Sequence, residues 1–107
     1  MHKEKLYDIS FQLILYSGNA RSMAMEALQE AKKGNVDRSR SLLEEADKEF
    51  LQAHRFQTEL IQAEAGGDHY DVPILLVHAQ DHLMNALTVK DLVREFIDLY
   101  DRLHERG

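Results

Sequence analysis

His78, Asp81 and His82 fall within one run, Val77-His78-Ala79-Gln80-Asp81-His82-Leu83-Met84. On a helix, spacings of three and four bring such side chains to one side. A neutral imidazole, with its ordinary pKa of about 6.5, is a competent nucleophile toward phosphorus at cellular pH. That chemistry asks for an accessible ring nitrogen, a neighbour that orients the ring, and donors for the phosphoryl oxygens. His82, one turn beyond His78, is placed to be such a donor, and Asn85 and Gln80 are further candidates.

At about 100° per residue, the face centred on Ile74 continues through His78, Asp81, Asn85, Leu92, Phe96, Leu99 and Leu103, with His82 slightly to one side. The opposite face carries Gln80, Lys90, Asp91, Arg94, Asp98 and Arg102. The stripe therefore reads as core, and a histidine and an aspartate on it are costly to desolvate unless paired, metal-bound or used. Three uses compete. His78 and Asp81 can form a hydrogen-bonded pair that fixes bundle register. They can be metal ligands, although the first two helices supply no matching Glu-x-x-His set to complete a site within the chain. Or His78 is a nucleophile.

The elements that must position these residues are helices. The stretch from about Lys3 to Lys33 carries Leu6, Ile9, Leu13, Tyr16, Ala20, Met23, Ala27 and Ala31 at helical spacing, and Gly34-Asn35 ends it. A second helix, capped by Asn35 or Asp37, is predicted to run to about Ala65 with Leu43, Ala46, Phe50, Ala53 or His54, Gln57 and Leu60 or Ile61 inward. Gly66-Gly67-Asp68 breaks the pattern. Asp71-Val72-Pro73 then starts a third helix, with an Asx cap and a first-turn proline, that reaches about His104. Helices of about 30 residues are about 45 Å long, so residues 1–107 form one all-α domain of three long antiparallel helices. Apolar residues off the main stripes (Phe11, Ile14 and Leu15 on the first helix, Leu76, Leu83 and Leu87 on the third) call for a second burial partner, and self-association is the economical one.

Composition excludes several classes. There are no cysteines, hence no disulfide or thiolate chemistry. Asp and Glu total 19 against 13 Lys and Arg, a formal charge of −6 without a basic stripe, which disfavours nucleic acid and suits a partner with a positive patch. No run of about 18 apolar residues is present to insert into a membrane. The N-terminal MHKEKLYDIS lacks the features of a signal peptide. The expected compartment is cytoplasmic.

The Val77–Met84 run resembles the signature of the lactose/cellobiose-type enzyme IIA of the bacterial phosphoenolpyruvate-dependent sugar phosphotransferase system. Tyr16-Ser17-Gly18-Asn19-Ala20-Arg21-Ser22 and Ala53-His54-Arg55-Phe56-Gln57-Thr58 resemble further family segments, so the likeness covers nearly the whole chain. The resemblance implies a homotrimer, a nine-helix bundle in all. It implies that His78 is phosphorylated on Nε2, that His82 contacts the phosphoryl group, and that Asp81 from three subunits holds one magnesium ion per trimer. The donor it implies is the small histidine-containing phosphocarrier protein, and the acceptor is a cysteine of the cognate enzyme IIB during uptake of a lactose-, cellobiose- or chitobiose-class disaccharide. A two-component histidine phosphotransfer domain is the alternative of similar shape, but it usually places lysine and glycine just after its histidine, where this chain has Gln80, Asp81 and His82. A non-catalytic helical interaction bundle is the third possibility. Elsewhere, His54 reads as a satisfied interior histidine, and His2, His69 and His104 as solvated. Leu76, Leu83 and Met84 are expected to contact partners.

Overall fold

The computed structural model describes residues 1–106. It contains three helices, α1 (Lys3–Lys32), α2 (Val36–Ala65) and α3 (Ile74–Arg106). Among the described residues there is no strand.

Both turns that end a helix are built the same way. After α1, the Gly34 N–H donates to the Ala31 carbonyl at 3.0 Å and the Asn35 N–H to Glu30 at 2.9 Å. After α2, Gly67 donates to Glu64 and Asp68 to Ala63, each at 3.0 Å. This paired bonding needs a left-handed residue just past the helix, and Gly34 and Gly67 supply it at φ of 90° and 93°. The helix starts differ from expectation. Asn35 makes no side-chain cap; its amide turns back to Glu30 at 2.8 Å. Pro73 stands immediately before α3 rather than within its first turn, and its carbonyl accepts from Leu76 and Val77.

Consecutive helices run antiparallel, so α1 and α3 share a direction. Residues at the starts of α1 and α3 line one cleft, and at the other end the His104 ring lies 3.3 Å from the Ala31 carbonyl. His104 is exposed, as expected, and its ring also touches the end of α1. The principal extents of 57 × 20 × 17 Å give a rod, and the radius of gyration of 16.8 Å exceeds the roughly 13 Å of a compact chain of about 100 residues.

α1 lies against both neighbours because its inner face becomes small toward its C-terminus. Ala20, Ala24, Ala27 and Ala31 are fully buried. Leu6, Ile9 and Leu13 fill the other half against Phe50, Leu60, Leu76 and Leu83. Two buried serines tie their hydroxyls to backbone, Ser10 to Leu6 within α1 and Ser39 of α2 to Ala27 of α1 at 2.6 Å. Ser39→Ala removes a dry link between helices, so urea unfolding at fixed protein concentration should show a loss of about 1 kcal/mol; no change in midpoint would mean that the bond adds nothing. α2 and α3 meet more loosely. Ion pairs Arg40–Asp98 (3.2 Å), Lys90–Asp47 (3.3 Å) and Arg94–Asp47 (3.4 Å) bridge them over a groove.

The buried face of α3 is not the predicted one. Leu76, Ala79, Leu83, Ala86, Val93 and Ile97 are the residues packed inside the chain. The stripe of Ile74, Leu92, Phe96, Leu99 and Leu103 points away from the core, and Ile74 is 83% exposed. Ala79 and Ala86 pack with Leu6, Ile9 and Leu13 of α1, and Val93 and Ile97 pack with Ala24, Ala27 and Ala31. On α1, Phe11, Leu15 and Met25 are also exposed. Of the six residues expected on a second apolar surface, only Phe11 and Leu15 are exposed; Leu76 and Leu83 belong to the core, Ile14 and Leu87 pack against it, and Ile74, Leu92, Phe96, Leu99 and Leu103 form the outer surface of α3 instead.

Candidate functional site

α3 carries His78, Asp81 and His82 near its N-terminal third, on a regular helix without a break. The backbone therefore holds them at fixed angles, and what differs among them is exposure. His78 and Asp81 are exposed, whereas His82 is half-buried.

The two histidines are in contact. Their Nε2 atoms are 3.1 Å apart, and the rings meet edge to face with centroids 4.6 Å apart. Two facing ring nitrogens at this distance share one hydrogen, so one donates and the other accepts. When His82 Nε2–H is the donor, His78 Nε2 presents its lone pair and carries its own proton on Nδ1. In that tautomer the Nε2 lone pair can attack an electrophile only after the His82 N–H has turned away from it. The packed partner fixes the ring, and the exposed edge leaves room for attack.

Asp81 makes no side-chain hydrogen bond among the described residues, neither to His78 nor to Asn85, so the register-fixing pair is absent. Its carboxylate stands on the exposed stripe between Ile74 and Leu92. No group of three potential His, Cys, Asp or Glu ligands occurs among the described residues. A single chain thus offers one hard oxygen donor rather than a finished metal site.

The remaining candidates separate spatially. The Gln80 amide donates to Gln57 on α2, which turns it toward the groove and away from His82. Asn85 is exposed. His54 is not interior; it is exposed and, with Phe50, Leu51, Leu83, Met84 and Leu87, lines an α2–α3 groove of about 490 Å³. Of the three expected contact residues only Met84 is available, since Leu76 and Leu83 are in the core. On the α1 side of the site, His82 shares a cleft with Ser17, Gly18, Arg21, Ser22 and Met25. Periodicity gave no sign of these residues; the α1 segment had been notable only for its resemblance.

Comparison with known proteins supplies the class. Residues 8–101 match the family described as the lactose/cellobiose-specific IIA subunit of the PTS system, and the chain belongs to that family. It is similar to the lichenan-specific phosphotransferase enzyme IIA component of Bacillus subtilis, with 52% identity covering 96% of this chain and 94% of that one. It is also similar to the crystal structure of the PTS cellobiose-specific enzyme IIA from Bacillus anthracis, with TM-score 0.93 and 54% identity, covering 100% of this chain and 96% of that chain. A third likeness is to solution structures of the IIA(chitobiose)–HPr complex of the Escherichia coli phosphotransferase system, with TM-score 0.80 and 36% identity, covering 92% and 96% of the two chains. The family is that of the sugar phosphotransferase system, not of two-component phosphotransfer domains. No helix of the described residues is long and apolar enough to cross a membrane.

Proposed function

We propose that this chain is a cytoplasmic phosphocarrier that takes a phosphoryl group onto His78 Nε2 from the histidine-containing phosphocarrier protein and delivers it to a cysteine of the cognate enzyme IIB. The single observation that favours His78 over His82 is its exposure, where His82 is half-buried; the contact of 3.1 Å between their Nε2 atoms makes His82 the neighbour that orients it. In acceptance, the bond from phosphorus to the donor nitrogen breaks as a bond to His78 Nε2 forms, and the electron pair returns to the donor ring. Charge spreads over the equatorial oxygens during such a transfer, and the protein contributes position and hydrogen bonds. As phosphorus approaches, the His82 N–H turns from the His78 nitrogen to a phosphoryl oxygen, which frees the Nε2 lone pair for the new bond. In delivery the same bond breaks toward a thiolate sulfur. The chain itself holds no sugar, and the disaccharide is modified at the membrane component.

Three copies assemble in this account. The exposed stripe of α3 offers an apolar surface for self-association, and a threefold axis along it would bring three Asp81 carboxylates together. Like charges in a seam resist ionisation unless a cation compensates them. Magnesium takes oxygen ligands in near-octahedral geometry and keeps waters. The three Asp81 side chains would hold it, and when bound it would supply the charge that lets all three stay ionised.

The test uses phosphoenolpyruvate and the two general proteins of the sugar system, set beside a phosphorylated response regulator as a rival source. Labelling by the sugar system alone is expected. Labelling only by the response regulator would overturn the account, and no labelling from either would leave an interaction bundle. The donor complex is expected to pair this chain's acidic surface, net charge −6, with a basic patch. Its Kd should rise with salt as charges at the rim are screened. A salt-independent Kd would indicate an apolar contact alone. Chemical-shift changes on binding should centre on His78 and include Val77 and Met84, both exposed beside it; changes centred on the Gly34 turn would misplace the docking face.

A further inference from the structure

Three serines of the chain are fully buried, and their hydroxyls differ in one respect. Ser10 and Ser39 each bond a backbone carbonyl, whereas Ser17 Oγ has no partner. A buried hydroxyl without a partner costs free energy and is uncommon in native proteins. Ser17 had a local solution available, the carbonyl four residues back that Ser10 uses, and it does not take it.

Ser17 lines the cleft of about 300 Å³ that α1 makes with His82. The other polar groups there are Arg21 and Ser22 on α1. No carboxylate lines it, in a chain whose formal charge is −6. Gly18 leaves one wall bare: a methyl built there meets no heavy atom within 4 Å. A helix interior disfavours glycine, and nothing in its backbone calls for one, since Gly18 is not among the residues with positive φ. The cleft therefore combines an open wall, an unpartnered hydroxyl, a guanidinium and an imidazole. That is a donor set for a small oxyanion. Its imidazole wall is the ring whose Nε2 lies 3.1 Å from His78 Nε2.

We propose that Ser17 and Arg21 of α1 are positioning residues that hold the oxygens of the phosphoryl group carried on His78. This rests on the reading of His78 as the phosphorylated residue. His82 binds the group from α3, and Ser17 and Arg21 bind it from α1, so the phosphoryl group spans the two helices. The buried Ser17 hydroxyl gains its missing partner only in the phosphorylated state. The Arg21 charge offsets that of the dianion until an acceptor arrives.

The experiment follows the phosphorus directly. Wild type, Ser17→Ala, Arg21→Gln and Arg21→Lys are phosphorylated with phosphoenolpyruvate and the two general proteins, and the 31P resonance is titrated with pH. Transfer rate and phosphoprotein lifetime are measured alongside. Ser17→Ala breaks no hydrogen bond and Arg21 is exposed, so helical content should hold in every variant. Both Ser17→Ala and Arg21→Gln should still be labelled on His78. Each should lose on the order of tenfold in transfer rate or lifetime, as expected for one hydrogen bond to a charged group. Arg21→Gln should also move the 31P titration to higher pH, and Arg21→Lys should recover part of that shift. A purely structural role would not move the titration. A labelled wild type whose variants match it in titration, rate and lifetime would overturn this inference alone. A wild type that takes no phosphoryl group would overturn the phosphocarrier reading, and this inference with it.

Discussion

His78→Gln is expected to abolish phosphoryl uptake completely while leaving the helical circular dichroism unchanged. His78 is exposed and its side chain contributes nothing to the packed face of α3, so its removal takes away the nucleophile without opening a cavity. Glutamine keeps a polar side chain of similar reach but has no ring nitrogen with a lone pair to attack phosphorus. His82→Gln is the informative companion. It leaves the nucleophile and removes the donor 3.1 Å away, so uptake should persist but slow on the order of 10²-fold, the usual cost of losing one preorganised donor to a transition-state oxyanion. Rates are read from single-turnover labelling with the phosphorylated donor in excess. Equal loss in both variants would make the two histidines a single unit; full labelling of the His78 variant would move the nucleophile elsewhere.

The second large effect concerns assembly. If three copies assemble around Asp81 and magnesium as proposed, chelation should destabilise that trimer, and Asp81→Leu should leave a trimer that ignores the chelator. If free magnesium stands at about 100 times its Kd, its removal costs about 2.7 kcal/mol per trimer, and the repulsion among three uncompensated carboxylates adds to that. Leucine at position 81 would instead extend the apolar stripe that already includes Ile74, Leu92 and Phe96. Sedimentation and thermal unfolding with and without chelator separate the outcomes. A wild type indifferent to chelator and free of bound metal would indicate protonated Asp81 side chains, and a monomer under all conditions would remove the shared site.

How far the sequence foretold these features depends on the element. The ends of α1 and α2 were legible because Gly34-Asn35 and Gly66-Gly67 are the residues that a left-handed turn demands, and both turns form as expected. The start of α3 was legible only to within a few residues, because a proline marks the neighbourhood of a helix start without fixing its place in it. The inward face of α3 was misassigned for a specific reason. The helix carries two apolar stripes, and the larger residues, Ile74, Leu92, Phe96 and Leu99, lie on the outer one. Ala79 and Ala86, which actually face α1, are too small to advertise a core position. Burial is decided here by which face of α3 meets α1, a tertiary fact that a one-dimensional period does not carry.

The same distinction applies to the site. His78 and His82 were legible as a pair because four residues is one helical turn. Asp81 was legible as a residue out of place on an apolar stripe, and that stripe proves to be an outer surface rather than an interior. Ser17 and Arg21 sit about sixty residues earlier, and only the packing of α1 against α3 brings them to His82. His54 erred in the opposite direction: its position beside Ala53 and Gln57 looked inward, but the loose contact between α2 and α3 leaves it at the edge of a groove.

The most direct measurement is localisation of the phosphoryl group itself. After a single turnover with the phosphorylated donor protein, the product should carry one base-stable, acid-labile phosphoryl group, with its 31P–15N coupling and fragment mass assigning it to Nε2 of His78. A phosphoryl group found on Nδ1, on His82 or His54, or on an acid-stable hydroxyl ester would contradict the account.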